Sequence, residues 1–231
     1  MNEFENAISL EFPLRGEWMA PNSPGTKIPS HGSDQLGQRY AIDLLQVNWD
    51  KKGMHFHNKS SFHYLLFGVP LKNCFCWGQN IYAPCDGQIV EYKDGLKERN
   101  PVHLLSDLAI VLKNAFFGNL KKLHPILGNY IIMECKNNVY AFFAHMKKDS
   151  INASIGDKIV KGQILGQVGH AGNSTAPHLH FHLMDNINLL EAKGIPFVFE
   201  NLEIFNKENN SWQKEKNYIP KNTDRFRYNG I

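Results

Sequence analysis

Residues 177–183 alternate histidine with apolar side chains in the order Pro-His-Leu-His-Phe-His-Leu. Successive side chains of a β-strand point to opposite faces, so this pattern predicts a strand with His178, His180 and His182 on one face and an apolar opposite face. Three charged imidazoles on one face repel each other, and we therefore expect neutral rings or a bound cation there. The pattern predicts a β-sheet with one apolar face and one histidine-bearing face.

Three further ionisable residues stand at informative positions. Asp43 interrupts the apolar run Ala-Ile-Asp-Leu-Leu at 41–45, where a buried carboxylate is costly unless a metal ion or a cation pairs with it. His145 ends the apolar run 140–144, which predicts an ionisable group at the mouth of a buried sheet; a hydrogen-bonded histidine at a strand end is the alternative. His31 is the only histidine before Asp43, and its Gly- and Ser-rich surroundings fit a solvated loop equally well.

Local composition predicts one β-rich domain with two flanking segments. Residues 1–39 are rich in Pro, Gly and Ser and are expected to form an extended N-terminal arm. Residues 40–198 contain short strand patterns separated by glycine turns, which favours a mostly antiparallel β domain. Apolar residues at helical spacing predict a helix inserted at about 101–122, with Gly118 as its stop. The polar tail 199–231, with scattered aromatics, is expected to pack on the domain.

Charge and hydropathy restrict the partners. The chain of 231 residues has 25 Lys and Arg against 22 Asp and Glu, a net charge of +3 that gives no argument for a nucleic-acid partner. No apolar stretch approaches the ~18 residues of a membrane-spanning helix, so we predict no integral membrane segment. The chain as written shows no secretory signal, and we expect a cytoplasmic protein, with export by another route or a missing leader as the alternatives. The four cysteines form no Cys-x-x-Cys pair and are expected to be free, buried thiols.

Four segments together suggest a family. They are Ala-Pro-Cys-Asp-Gly-Gln-Ile-Val at 83–90, Tyr-Ala-Phe-Phe-Ala-His-Met at 140–146, the glycine-rich turn segment 156–166, and Gly-His-Ala-Gly-Asn-Ser-Thr-Ala-Pro-His-Leu-His-Phe at 169–181. In this order they resemble the motifs of the lysostaphin/LytM-type zinc metallopeptidases, the glycyl-glycine endopeptidase family. The resemblance implies a mainly β (β-rich α+β) fold, in which two antiparallel sheets form an open groove with a metal at its floor.

The resemblance also implies roles for five side chains. One zinc ion would be held by His31, Asp43 and His180, while His145 and His178 would form a catalytic pair that does not bind the metal. Two imidazoles and one carboxylate leave the fourth tetrahedral position of zinc for water. Zinc activates such a water for attack on a carbonyl, and the two remaining histidines would assist proton transfer and stabilise the oxyanion. Which of the two histidines acts as the base stays open.

Two departures from the family pattern concern the metal ligands. The family usually spaces its first ligands as His-x-x-x-Asp, but Arg39 stands four residues before Asp43 and His31 twelve residues before it. Asp34 would give a compact His-x-x-Asp pair, but it lies outside any predicted strand, so we favour Asp43. His182 stands where the family often has an acidic residue, and it is expected to be either a partner of a ligand or a rival ligand.

The function implied is a zinc-dependent endopeptidase acting on peptides of the bacterial cell wall, with a peptide or peptidoglycan stem as substrate. The displaced His31 supports one alternative, a catalytically degenerate family member that serves as a non-enzymatic binding or activator module. Residues 156–166 also resemble biotinyl or lipoyl carrier domains, but the modified lysine is missing and the histidine strand would be unexplained. We further predict that the loop 48–64 and the inserted helix form groove walls that select the substrate. The oligomeric state stays unknown.

Overall fold

A computed structural model describes residues 3–117, 123–136 and 138–230. The strands are β1 Ile8–Leu10, β2 Gly16–Asn22, β3 Ile42–Leu45, β4 Asn80–Tyr82, β5 Gly87–Lys93, β6 Asn129–Glu134, β7 Tyr140–Met146, β8 Lys158–Ile159, β9 Ile164–Gln167, β10 Leu179–Met184, β11 Gly194–Ile195, β12 Phe197–Asn206, β13 Ser211–Tyr218 and β14 Phe226–Tyr228. The α-helices are α1 Ser61–Phe67, α2 Leu104–Phe117 and α3 His124–Leu127, and short 3-10 segments lie at Gln35–Tyr40 and Leu71–Asn73. Strands account for 35% of the structure and helices for 14%, which confirms the mainly β prediction.

Most strands belong to one large sheet with the order β1-β12-β14-β2-β3-β10-β7-β6-β5-β8. β11 adds to β10, β13 adds to β12, and β4 and β9 form a separate two-stranded sheet. The observed pairs are antiparallel, as expected, except for the parallel pair of β1 and β12. Strands β3, β10 and β7 lie side by side near the middle of the large sheet, and the residues of interest are concentrated on them.

Strand β10 has the alternation that its sequence predicts. Leu179, Phe181 and Leu183 are fully buried in the main hydrophobic core. On the opposite face, the ring of His182 packs 4.9 Å from that of Phe142 on β7, and both side chains are buried. The His182 end of the histidine face is therefore covered as well, and desolvation favours a neutral ring for His182.

The first forty residues contribute to the sheet. Strand β2 pairs with both β14 and β3, and β1 pairs with β12. Phe12, Leu14 and Trp18 are fully buried. The structure thus differs from an arm that runs over the surface. Prolines and glycines interrupt the apolar residues of this segment, so their burial produces no regular period in the sequence.

The C-terminal segment is also strand-rich, since β12 begins at Phe197 and β13 and β14 follow it. Phe199 and Phe226 are fully buried, and both rings contact the ring of Phe12. The two ends of the chain therefore build one part of the core together. The domain boundaries at 39/40 and 198/199 stay a prediction.

Replacing Trp18 by Ala is expected to lower the free energy of unfolding by about 3–5 kcal/mol, because a fully buried indole leaves a large cavity. The indole nitrogen also donates a hydrogen bond of 2.8 Å to the Arg15 carbonyl. Urea denaturation would measure the loss. Trp212→Ala on β13 is the matched control, because this ring is only partly buried and should cost clearly less. Equal, small losses for both variants would contradict a structural role for β2.

Helix α2 confirms a helix within 101–122, while the predicted stop at Gly118 lies outside the described residues. Its periodic leucines do not face the core, since Leu105, Leu108 and Leu112 are exposed. Among the α2 side chains that the structure describes, residues 104–114, Asp107 alone is completely buried. In the described part of the chain, no helix is long and apolar enough to span a membrane.

Candidate metal centre

Strand pairing brings Asp43 and His180 together. They are direct cross-strand partners between β3 and β10, so their side chains lie next to each other on one face of the sheet. His180 Nδ1 is 2.9 Å from Asp43 Oδ1, and both side chains are about nine-tenths buried. The interrupting carboxylate of β3 and the middle histidine of β10 therefore form one buried pair.

His31 reaches the same carboxylate from the loop that follows β2. Its Nε2 lies 3.0 Å from Asp43 Oδ2, and its Nδ1 lies 3.0 Å from the hydroxyl of Ser30. The C-terminal segment supports this loop: a Cβ atom at Gly25 would lie 2.7 Å from the Pro220 carbonyl oxygen, so only glycine fits this close approach. The long spacing between His31 and Asp43 is thus bridged by a folded loop.

The donor atoms of His31, Asp43 and His180 all lie within 4.8 Å of one another. Burial raises the pKa of the Asp43 carboxyl, but the surrounding imidazoles, led by His178 and His31, hold it well below its usual value. Burial lowers the pKa of His180, although the bond to Asp43 opposes this. An ionised carboxylate and a neutral imidazole are the forms that bind a metal, and two histidines with one carboxylate fit zinc.

His145 joins the site through an irregularity in β7. Its neighbour Ala144 pairs with His180, so strict alternation would turn His145 to the opposite face. The register between β6 and β7 shifts here by one residue, and His145 has a left-handed backbone with φ of 61°. This bulge brings its ring centroid to 4.8 Å from that of His178. A non-glycine residue in this conformation is strained, as is common at functional sites.

The hydrogen bonds of His145 and His178 define their tautomers. His145 Nδ1 lies 2.8 Å from the Ala171 carbonyl oxygen, and His178 Nδ1 lies 2.7 Å from the Ala176 carbonyl oxygen. A carbonyl only accepts, so each Nδ1 carries a hydrogen and each neutral ring has an unprotonated Nε2. Burial, followed by the charges of His178 and His180, lowers the pKa of His145 well below its usual value. Burial therefore favours the neutral form of His145, whose Nε2 carries the lone pair.

Asp34 and His182, the other two candidates from the sequence, are not among the three clustered donors. Asp34 is exposed and accepts a hydrogen bond of 3.0 Å from Arg39. His182 lies behind His180, with its Nδ1 at 3.3 Å from His180 Nε2. Burial lowers the pKa of His182 well below its usual value, which favours the neutral ring. Its position is that of a partner of His180 and not of a rival donor.

A buried polar network connects helix α2 to His178. Asp107 forms an ion pair with Arg99, and its Oδ2 lies 3.4 Å from His170 Nε2. The Ser174 hydroxyl continues the network, at 2.9 Å from His170 Nδ1 and 3.2 Å from His178 Nδ1. Asp107 and His170 are fully buried. This network was not predicted from the sequence, although a charged residue inside an apolar helical pattern is a usable signal for it.

A cavity of about 400 Å³ opens beside the site and is bordered by Asp43 and His178. Its walls include the residues Met54, Phe56, Tyr64 and Leu104, which come from the 54–64 region and from the start of α2. Both segments that were predicted to form groove walls therefore contribute apolar side chains next to the histidines.

The fold and this arrangement of donors define a candidate metallohydrolase centre, and sequence comparison gives the family. A family model described as peptidase family M23 matches residues 74–191, just over half of the chain. The chain belongs to peptidase family M23. His145, His178 and His180 lie inside the matched region, whereas His31 and Asp43 lie before it.

Similar proteins match short segments. The chain is 36% identical over 61 residues to peptidoglycan DD-endopeptidase ShyA of Vibrio cholerae, covering 26% of this chain and 14% of that protein. It is 47% identical over 60 residues to glycyl-glycine endopeptidase ALE-1 of Staphylococcus capitis, covering 26% and 16%. The matched segment thus spans about a seventh of these relatives. The catalytic domain of lysostaphin from Staphylococcus simulans superposes with a TM-score of 0.38 and 17% identity, over 78% of this chain and 88% of that domain.

Proposed function

We propose that this protein is a zinc-dependent endopeptidase that hydrolyses peptide bonds in peptidoglycan peptides. Membership of peptidase family M23 and the names of ShyA and ALE-1 support the reaction and the substrate class. The observation that carries the proposal is the convergence of His31, Asp43 and His180, whose donor atoms lie within 4.8 Å of one another. The displaced His31 was the reason to consider a degenerate member, and its ring lies against Asp43.

The residues would divide the work as follows. His31, Asp43 and His180 would hold the ion. Bound zinc supplies a Lewis acid that activates water and polarises the scissile carbonyl. His145, which is buried and neutral, has its Nε2 available to take a proton from the attacking water. His178 directs its Nε2 towards Asp43 Oδ1 at 3.5 Å, and when protonated it is placed to donate to the oxyanion or the leaving amine.

The apolar lining of the cavity beside the site favours a substrate with small, uncharged side chains. Met54, Phe56 and Leu104 border it, and a charged side chain would lose its hydration against these apolar walls. Glycine and D-alanine residues of wall peptides meet this requirement. We therefore propose that these apolar walls select the substrate.

Hydrolysis of defined peptides tests this function. Purified protein would be incubated with wall fragments, oligoglycine, D-alanine peptides and matched peptides containing Lys or Glu, with and without a chelator, and products identified by mass spectrometry. We expect cleavage of the glycine or D-alanine substrates, loss of activity with chelator, and recovery with zinc. A protein that binds zinc but cleaves none of these substrates would contradict the proposal and favour the non-enzymatic alternative.

A further inference from the structure

A pair of cysteines lies apart from the histidine site. Cys85 precedes β5 and Cys135 follows β6, and these two strands pair directly in the sheet. The two thiols belong to residues 50 positions apart, and their Sγ atoms are 2.9 Å from each other. No rearrangement of the sheet is needed to bring the sulfurs together, because strand pairing already does so.

The pair is accessible. Both cysteines are half-buried and border a cavity of about 390 Å³, which Lys136, Lys161 and Glu200 also line. Cys74 and Cys76, by contrast, are buried. A small thiol reagent can therefore enter beside Cys85 and Cys135, whereas the other two thiols are covered.

We propose that Cys85 and Cys135 are a modification site at which a reversible disulfide forms by exchange with a small-molecule disulfide. The Cys85 thiolate attacks one sulfur of the reagent, breaking its S–S bond and releasing one thiol. Cys135 then loses its proton and attacks Cys85 Sγ in the mixed disulfide, and the second reagent thiol leaves. The two cysteines lose two electrons, the reagent disulfide gains them, and the two cysteine protons end on the two released thiols.

The surroundings distinguish the two thiols. The hydrogen bond from Cys135 lowers the pKa of Cys85 against the effect of burial, and Lys161 acts in the same direction. The same bond, together with burial, raises the pKa of Cys135. Since the thiolate is the nucleophile, Cys85 is the residue that attacks first.

The cross-link would stabilise the fold without touching the histidine site. Cys135 lies at the Tyr140 end of the β6–β7 pair, and His145 lies near the other end, roughly 15 Å away along the strand. A disulfide between Cys85 and Cys135 would join residues 50 positions apart and so restrict the unfolded chain. This restriction predicts a rise in melting temperature of about 10 °C on oxidation. This inference is independent of the proposed peptidase activity.

The test uses the full chain equilibrated with a series of oxidised-to-reduced glutathione ratios. Free thiols would be alkylated under denaturing conditions and counted by intact mass, the linked peptides would be mapped, and the melting temperature recorded. We expect four free thiols to become two, a Cys85–Cys135 peptide, and a melting temperature higher by about 10 °C. Zinc content should be the same at both ends of the series.

Variants provide the controls. Cys85→Ala should keep three free thiols and one melting temperature across the series. Cys135→Ala should form no internal link and should stop at a mixed disulfide between Cys85 and glutathione, whereas Cys74→Ala should still lose two thiols. Four free thiols in the wild type at every ratio, a link to Cys74 or Cys76, or only mixed adducts with glutathione would overturn the inference. The wild-type measurement decides the question even if a variant does not fold.

Discussion

Asp43→Ala is expected to remove bound zinc and to lower the rate of peptide hydrolysis by at least ~10³-fold, since loss of metal stabilisation is worth several kcal/mol. Its carboxylate is the group that both His31 and His180 contact, so its loss removes one donor and releases the other two. Elemental analysis and a peptide cleavage assay would measure the two effects.

Asp34→Ala is the matched control. This carboxylate lies nine residues before Asp43, is exposed and pairs with Arg39, so its removal should leave zinc content and cleavage unchanged. Asp43→Asn keeps the shape of the side chain and covers the case in which the alanine variant fails to fold. Full zinc content in a folded Asp43 variant would contradict its role as a ligand.

Asp107→Ala is expected to reduce the free energy of unfolding by about 3 kcal/mol, because Arg99 and the buried ring of His170 both lose the carboxylate with which they pair. The network ends at His178, so Asp107 is a positioning residue for that ring. In the isosteric Asp107→Asn variant we expect kcat to fall about ten-fold with little change in KM. A purely structural role would lower stability and leave kcat of the folded fraction unchanged.

The stability effect of Asp107 should depend on pH. Burial raises the pKa of this carboxyl, but the bonds to His170 and Arg99 lower it below the ordinary value. A group with a lowered folded-state pKa stabilises the protein above the unfolded pKa of ~3.9, and this contribution disappears as pH falls through the folded-state value. The difference in unfolding free energy between wild type and Asp107→Asn should therefore narrow below about pH 4. A constant difference down to pH 2 would contradict this account.

The central strands and part of the site follow from sequence periodicity. The alternation around His180 predicts which side chains share a face, and the lone carboxylate of an apolar run marks Asp43 as a residue that needs a partner. Their contact depends on the pairing of β3 with β10, which only the family resemblance anticipated. The position of His31 depends on a loop packed against Pro220, far along the chain, and no local pattern encodes such a contact.

Local sequence patterns could not predict three other features, each for a different reason. His145 reaches the site through a one-residue bulge, and alternation alone would have turned it to the opposite face. Helix α2 was predicted from its leucines, yet the buried Asp107 anchors it, because an ion-pair network replaces apolar packing. Strand β13 has the sequence Ser-Trp-Gln-Lys-Glu-Lys-Asn-Tyr, in which polar residues on both faces hide the strand period.

The position of zinc in a crystal tests the account most directly. Anomalous difference maps recorded on both sides of the zinc absorption edge, from crystals grown with zinc, should show one peak bound by His31, Asp43 and His180, at ~2.0–2.2 Å from each donor atom. His145 and His178 should face that peak without binding it. A peak held by other residues, or none at this position in fully loaded protein, would contradict the proposed centre.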